Sequence, residues 1–228
     1  MTIKPTVPRT SINMFLKNID IDSIGFDLDG TLWDGTNAIA ASWNIFMSED
    51  KEIRKIPNAD ELKGVMGLPL DKIMERFFPY LSVSKRAELM KEAIEVEQSY
   101  IVRNGGILFD GVEEVLAKLS QKYKLFIVSN CQDGYIEAFL KHYGFEKYFC
   151  DHECIGRTTR PKGQNIKIVM ERNNFKRCIY IGDTQGDYEA AVEAGVLFAF
   201  AEYGFGALER PDECGINIRN FTDIAKLL

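Results

Sequence analysis

Short apolar runs, each ending in a polar cluster, set the rhythm of the chain: residues 24–26, 125–128, 179–181 and 196–200. Each run is too short for a helix and is followed by small or acidic residues, so each predicts a buried strand. Between the later runs, apolar positions return at helical spacing over 112–122, 134–143, 164–173 and 185–194. The last of these patterns stops at Gly195, the residue type that best closes a helix. Strand and helix alternate, which predicts an α/β fold with a Rossmann-like parallel sheet flanked by helices.

Residues 34–104 break that rhythm. They carry helical patterns over 38–51, 71–78 and 84–103 and no strand-like run. Turn-forming pairs stand at both ends, Asp34-Gly35 and Gly105-Gly106, where a hinge could form. The expected layout is a catalytic core of residues 1–33 and 105–228, with residues 34–104 inserted as a small α-helical cap over one edge of the sheet.

Composition narrows the picture. With 228 residues, 46% of them hydrophobic, the chain can bury a full core and still supply a second small domain. The net charge of -6 and the lack of any stretch dense in Lys and Arg argue against a nucleic-acid partner. An anionic ligand must therefore be held by local charges. Residues 190–208 are the most apolar stretch, but Glu193, Glu202 and glycines interrupt them, so a helix end, a strand and a loop are expected there and not a membrane span. Residues 1–20 lack an apolar core of signal-peptide length, and secretion is not expected. The cysteines, Cys131, Cys150, Cys154, Cys178 and Cys214, are odd in number and irregular in spacing, which suits a reducing cytoplasm.

In an open parallel sheet, ligands bind beyond the carboxyl ends of the strands. The residues just after the apolar runs are Asp27 and Asp29, Ser129 and Asn130, and Gly182 and Asp183, with Asp187 following; Lys162 opens a helical segment. Asp27 and Asp29 face one side if the chain stays extended there. Adding Asp183 and Asp187 brings up to four carboxylates into one crevice, where they repel one another or take up protons unless a cation neutralises them. Mg²⁺ fits best, because it takes a few carboxylate or carbonyl oxygens and leaves positions for water and phosphate. Ser129, nearby backbone amides and Lys162 can supply the donors and positive charge that a phosphoryl group in transfer requires. Gly30 permits a sharp exit from the first strand. Asp187 has an alternative reading as a helix cap.

Together, Asp27-Leu28-Asp29-Gly30-Thr31-Leu32, Ser129-Asn130, Arg160-Pro161-Lys162 and Gly182-Asp183 with Asp187 resemble the four motifs of the haloacid dehalogenase-like hydrolases, in the same order. The helical insertion resembles that superfamily's small cap, and Gly67-Leu68-Pro69-Leu70 resembles a cap segment of phosphoglycolate-phosphatase-like members. The resemblance implies a Mg²⁺-dependent phosphatase of a small phosphorylated metabolite. Asp27 would attack phosphorus to form an aspartyl-phosphate, and Asp29 would protonate the leaving group and then activate water. It further implies metal ligation by the Asp27 carboxylate, the Asp29 carbonyl and Asp183, with Asp187 as ligand or support. Phosphate would be held by Ser129 and Asn130, with Lys162 offsetting charge. Dehalogenases and phosphonatases of that superfamily lack an acid at the position of Asp29, so both are disfavoured. A sugar-phosphate mutase with the same nucleophile and a non-catalytic phosphate-binding regulatory module are the alternatives.

Other features receive plainer readings. Cys150, His152 and Cys154 lack a fourth zinc ligand and are read as structural, and Cys131 as a helix-entry residue. Trp33 and Trp43 are expected to pack between the domains, with a place in the substrate pocket as the alternative. Two histidines and no Gly-x-Ser-x-Gly string leave no basis for a serine-hydrolase triad. No heptad run marks a helix for self-association, and no feature marks a protein partner.

Overall fold

The computed structural model describes residues 20–211 and 214–228. The reading of the N-terminal segment as free of a signal peptide falls almost wholly outside them. The chain opens with β1 (Ser23–Phe26), β2 (Trp33–Asp34), α1 (Thr36–Met47), α2 (Ala59–Lys63), α3 (Leu70–Phe77) and α4 (Val83–Asn104). There follow β3 (Ile107–Leu108), α5 (Val112–Leu119), β4 (Lys124–Ser129), α6 (Tyr135–Tyr143), β5 (Phe149–Cys154) and α7 (Ile155–Thr158). The chain ends with α8 (Lys162–Asn173), β6 (Cys178–Gly182), α9 (Gln185–Ala194), β7 (Leu197–Ala201), β8 (Asn217–Ile218) and α10 (Ile224–Leu227).

Six strands form one sheet in the order β5-β4-β1-β6-β7-β8, and every neighbouring pair is parallel. The strand that opens the chain is thus central, with Phe26 opposite both Ile127 and Ile181. Its two faces separate by the period-two alternation of a strand. Ile24, Leu125, Ile127, Ile179 and Ile181 enter one buried cluster, while Phe126, Val128, Tyr180 and Phe200 enter the other, against α8 and α9. Burying each such side chain contributes roughly 1.5–3 kcal/mol, which is why these runs are apolar on both faces.

Helix and strand positions follow the apolar pattern to within a few residues. The sequence pattern does not disclose β5, because an edge strand reading Phe-Cys-Asp-His-Glu-Cys has no apolar run. Its acids are used by Arg172 of α8, which pairs with Asp151 and, at 2.7 Å, with Glu153. The pattern also does not disclose α2, a short helix started by a reciprocal capping box between Asn58 and Glu61.

The short strands β2 and β3 pair antiparallel, Trp33 opposite Leu108, and form the two-stranded stem from which α1 to α4 project. Trp33 packs on the core side, edge-on to Tyr135, Phe139 and Tyr143 of α6. No described helix is long and apolar enough to cross a membrane.

Candidate active site

Parallel pairing puts the carboxyl ends of β1, β4 and β6 on one edge, and the residues that leave them meet there. The Asp27 amide donates to the Ile181 carbonyl at 2.8 Å, so the ladder continues one residue past β1 and holds the Asp27 side chain rigidly at the edge. Ser129 ends β4, and Asp183 follows β6. Lys162 arrives as the first residue of α8, directly after Pro161, and Asp187 stands in the first turn of α9.

Lys162 is the electrostatic centre. Its Nζ lies 2.6 Å from Asp187 Oδ1 and 3.0 Å from Asp27 Oδ1, and all three side chains are buried. The Asp187 contact is a hydrogen bond. The Asp27 contact is an ion pair, and Asp27 Oδ1 is otherwise buried without a hydrogen-bond partner. Burial opposes the Lys162 charge, but Asp187 and Asp27 outweigh it and hold the ammonium above its ordinary range.

Asp187 makes two kinds of contact, a helix cap and an ion pair with Lys162. Its Oδ2 accepts from the Thr184 amide at 2.9 Å and the Thr184 hydroxyl at 2.6 Å, a reciprocal box that starts α9. Its Oδ1 faces Lys162. Asp183 Oδ2 accepts from the Phe205 and Gly206 amides at 2.8 and 3.1 Å, in the loop after β7. Gly30 has φ +80, and a Cβ there would overlap the Asp183 carboxylate, so the turn after β1 needs glycine on both counts.

One carboxylate oxygen from each of Asp27, Asp183 and Asp187 lies within 4.8 Å of the others, the only cluster of His, Cys, Asp or Glu so arranged among the described residues. Cys150, His152 and Cys154 form no such cluster; His152 instead stands 3.0 Å from Glu137. Burial, followed by the Asp187 charge, lifts Asp27 to about 6 against the pull of Lys162. Burial, then Asp187 and Asp27, lift Asp183 to about 7. An orphaned buried oxygen and three mutually repelling carboxylates are the donor set of a hard divalent cation, so the residues present fit Mg²⁺.

The Asp29 carboxylate stands apart from that trio. The chain turns after β1 instead of remaining extended, and Asp29 Oδ1 accepts from the Tyr135 hydroxyl at 3.0 Å. Burial, with Asp27 adding repulsion, lifts Asp29 to about 8, only partly countered by Tyr135. The carboxyl therefore keeps its proton to higher pH than an ordinary aspartate.

Between this edge and the helical cap lies a partly open cleft, which Asp27, Asp29, Ser129 and Asn130 line from the core side. The Asn130 amide donates to the Gly67 carbonyl at 2.8 Å, tying the segment after β4 to the cap loop. Trp43 packs within the cap, against Phe78, and lines the cleft, which matches the alternative of a place in the pocket and not packing between the domains.

Three polar residues of the cleft are not singled out by the sequence pattern: Glu97, Gln132 and Tyr135. Glu97 of α4 is buried, and its two oxygens accept from Trp43 Nε1 and Gln132 Nε2. Its signal in the sequence is spacing. Leu89, Ala93 and Ile101 are the other buried residues of α4, and Glu97 continues their four-residue stripe as its single acid. Burial lifts Glu97 to about 7 despite those two hydrogen bonds.

This arrangement of strand-end carboxylates, buried lysine and helical insertion defines a Rossmann-like hydrolase, and the family follows. Residues 24–201 match the haloacid dehalogenase-like hydrolase family, and the chain belongs to it. Among its relatives, the phosphoglycolate phosphatase of Pectobacterium atrosepticum is 26% identical, over 91% of this chain and 92% of that protein. That of Caulobacter vibrioides is 26% identical, over 92% of each. In three dimensions, a haloacid dehalogenase-like family hydrolase from Streptococcus pneumoniae matches with a TM-score of 0.72 at 24% identity, over 90% of this chain and 97% of that one.

Proposed function

We propose that this chain is a Mg²⁺-dependent phosphatase that hydrolyses a small phosphorylated metabolite through an aspartyl-phosphate on Asp27. The observation that carries the reading is the buried cluster of Asp27, Asp183 and Asp187 around Lys162, with one Asp27 oxygen lacking a hydrogen-bond donor. Asp27, Asp183 and the Asp29 carbonyl would hold the ion, with Asp187 positioning Lys162. When bound, Mg²⁺ supplies positive charge to the carboxylates and the phosphoryl oxygens.

Asp27 is fixed by the sheet ladder and attacks phosphorus with one carboxylate oxygen. The phosphorus–oxygen ester bond breaks, and the leaving alkoxide takes its proton from Asp29, whose raised value keeps a proton available near neutral pH. The ionised Asp29 then removes a proton from water, which attacks the aspartyl-phosphate, releases phosphate and restores Asp27. Lys162 stays charged throughout and balances the nucleophile. Ser129, which lines the cleft, and the amides beside it would hold phosphoryl oxygens. The helices of residues 34–104 act as a cap that excludes water from the cleft, with Asn130 and Gly67 as a closing contact.

The test is Mg²⁺-dependent phosphate release from an aryl phosphate and a panel of metabolite phosphates. Native protein is expected to turn over, and Asp27→Asn to lose about a thousandfold or more. A native protein inert across the panel, or an Asp27→Asn variant with native turnover, would sink the proposal. Sugar phosphates are included with product analysis, and their isomerisation without phosphate release would show a mutase instead.

A further inference from the structure

The cleft above Asp27 has a pronounced charge asymmetry. Apart from Glu97 of α4, its cap side is apolar, built from Ile39, Trp43, Leu62, Met66, Leu70 and Ile73. Its ionisable lining comprises Asp27, Asp29, Glu97, Cys131 and Tyr135; no lysine, arginine or histidine is among the described residues that line it. Burial holds the Cys131 thiol well above its ordinary range, so that side chain supplies no charge. The cation at the foot of the site, Lys162, is spoken for by two carboxylates. Lys63 on the neighbouring cap helix is paired with Asp34 at 3.1 Å.

Glu97 and Asp29 face the same space. Tyr135 stands with both: burial first, and then the charges of Asp29 and Glu97, push its phenol well above its ordinary value. Glu97 is not placed there by chance packing, since one partner lies on α1 of the cap and the other on the core segment after β4. The wall beside Asp29 therefore carries one acid, Glu97, and one amide, Gln132, in a lining that is otherwise apolar on the cap side.

Resting on the phosphatase reading, we infer that this cleft selects phosphate monoesters whose leaving group carries no negative charge, and that Glu97 is the specificity-determining residue. A substrate with a carboxylate beside its phosphate would bring that anion into a largely apolar space and set it against Glu97 with no basic side chain in the lining to pair it. Such burial costs several kcal/mol unless a partner is present. A hydroxyl or an ammonium on the same short chain meets no such penalty, because Glu97 and the Gln132 amide oxygen can both accept from it. Phosphoglycolate, after which the similar phosphatases are named, is thus a poor substrate for this chain, and its neutral analogue a good one.

The experiment compares 2-phosphoglycolate with 2-hydroxyethyl phosphate, equal in chain length and differing in one charge, for native protein with Mg²⁺ at pH 8. The expected kcat/KM favours the hydroxyethyl ester by about tenfold or more. A ratio of one, or a preference for phosphoglycolate, overturns the inference while leaving the phosphatase reading intact. Absence of metal-dependent release from both esters and from an aryl phosphate overturns the phosphatase reading, and the inference with it. Glu97→Gln keeps the side chain's shape, and a flipped Gln132 amide can meet it. The ratio is expected to fall by at least about threefold in that variant, driven by improved phosphoglycolate turnover. A folded Glu97→Gln protein, checked by circular dichroism, with the native ratio would remove Glu97 from the role.

Discussion

Replacing Lys162 with methionine tests whether one buried ammonium holds the site together. Methionine keeps most of the volume and removes the charge, leaving Asp27, Asp183 and Asp187 within 4.8 Å of one another and no cation. In metal-free buffer one of them must then take up a proton. An aspartate has an ordinary value of 3.8, and each pH unit above it costs about 1.4 kcal/mol to keep it protonated. The ceiling on the loss is therefore about 4 kcal/mol at pH 7 and under about 2 kcal/mol at pH 5. That ceiling falls within the range of about 3–5 kcal/mol for breaking one side of a buried ion pair. Urea denaturation in EDTA at both pH values measures it, and millimolar Mg²⁺ should restore part of the loss by supplying positive charge from outside. A destabilisation below about 1 kcal/mol at pH 7, or one of equal size at pH 5 and pH 7, would refute the electrostatic account of the cluster.

Two further outcomes follow from the same geometry. Glu97 has an ordinary value of 4.5 and is lifted to about 7 by burial, so its contribution to stability is complete below pH 4.5 and lost as pH rises through 7. Glu97→Gln should therefore gain on the native protein between pH 5 and pH 8, by up to about 3 kcal/mol, in denaturation midpoints read at the two pH values; parallel pH profiles would contradict a raised Glu97. Gly30→Ala should lose both stability and Mg²⁺ binding, because Gly30 has φ +80 and a Cβ would overlap Asp183; calorimetric Mg²⁺ titration showing native affinity would contradict that packing.

Much of the core was legible because a strand buried on both faces must be apolar throughout, and the residues that follow such strands fall on one edge when the sheet is parallel. Asp27, Ser129 and Asp183 follow from that rule alone. Lys162 and Asp187 begin helices, where sequence offers a cap as readily as a site, and only the tertiary structure brings the two within 2.6 Å of each other. β5 escaped notice because its polar residues are balanced by Arg172 from another element.

The sequence by itself determined the sheet, its acidic edge and the helical insertion, since each depends on periodicity and on residues near one another along the chain. The tertiary structure decided what faces that edge. Glu97 lies about seventy residues from Asp27 along the chain, and its spacing there marks it only as an acid within an otherwise apolar stripe. It becomes a wall of the cleft only because α4 packs its stripe inward, beneath Trp43 and against Gln132. Local spacing specifies which helix face is apolar, but the partner that face meets is chosen by the packing of the whole cap.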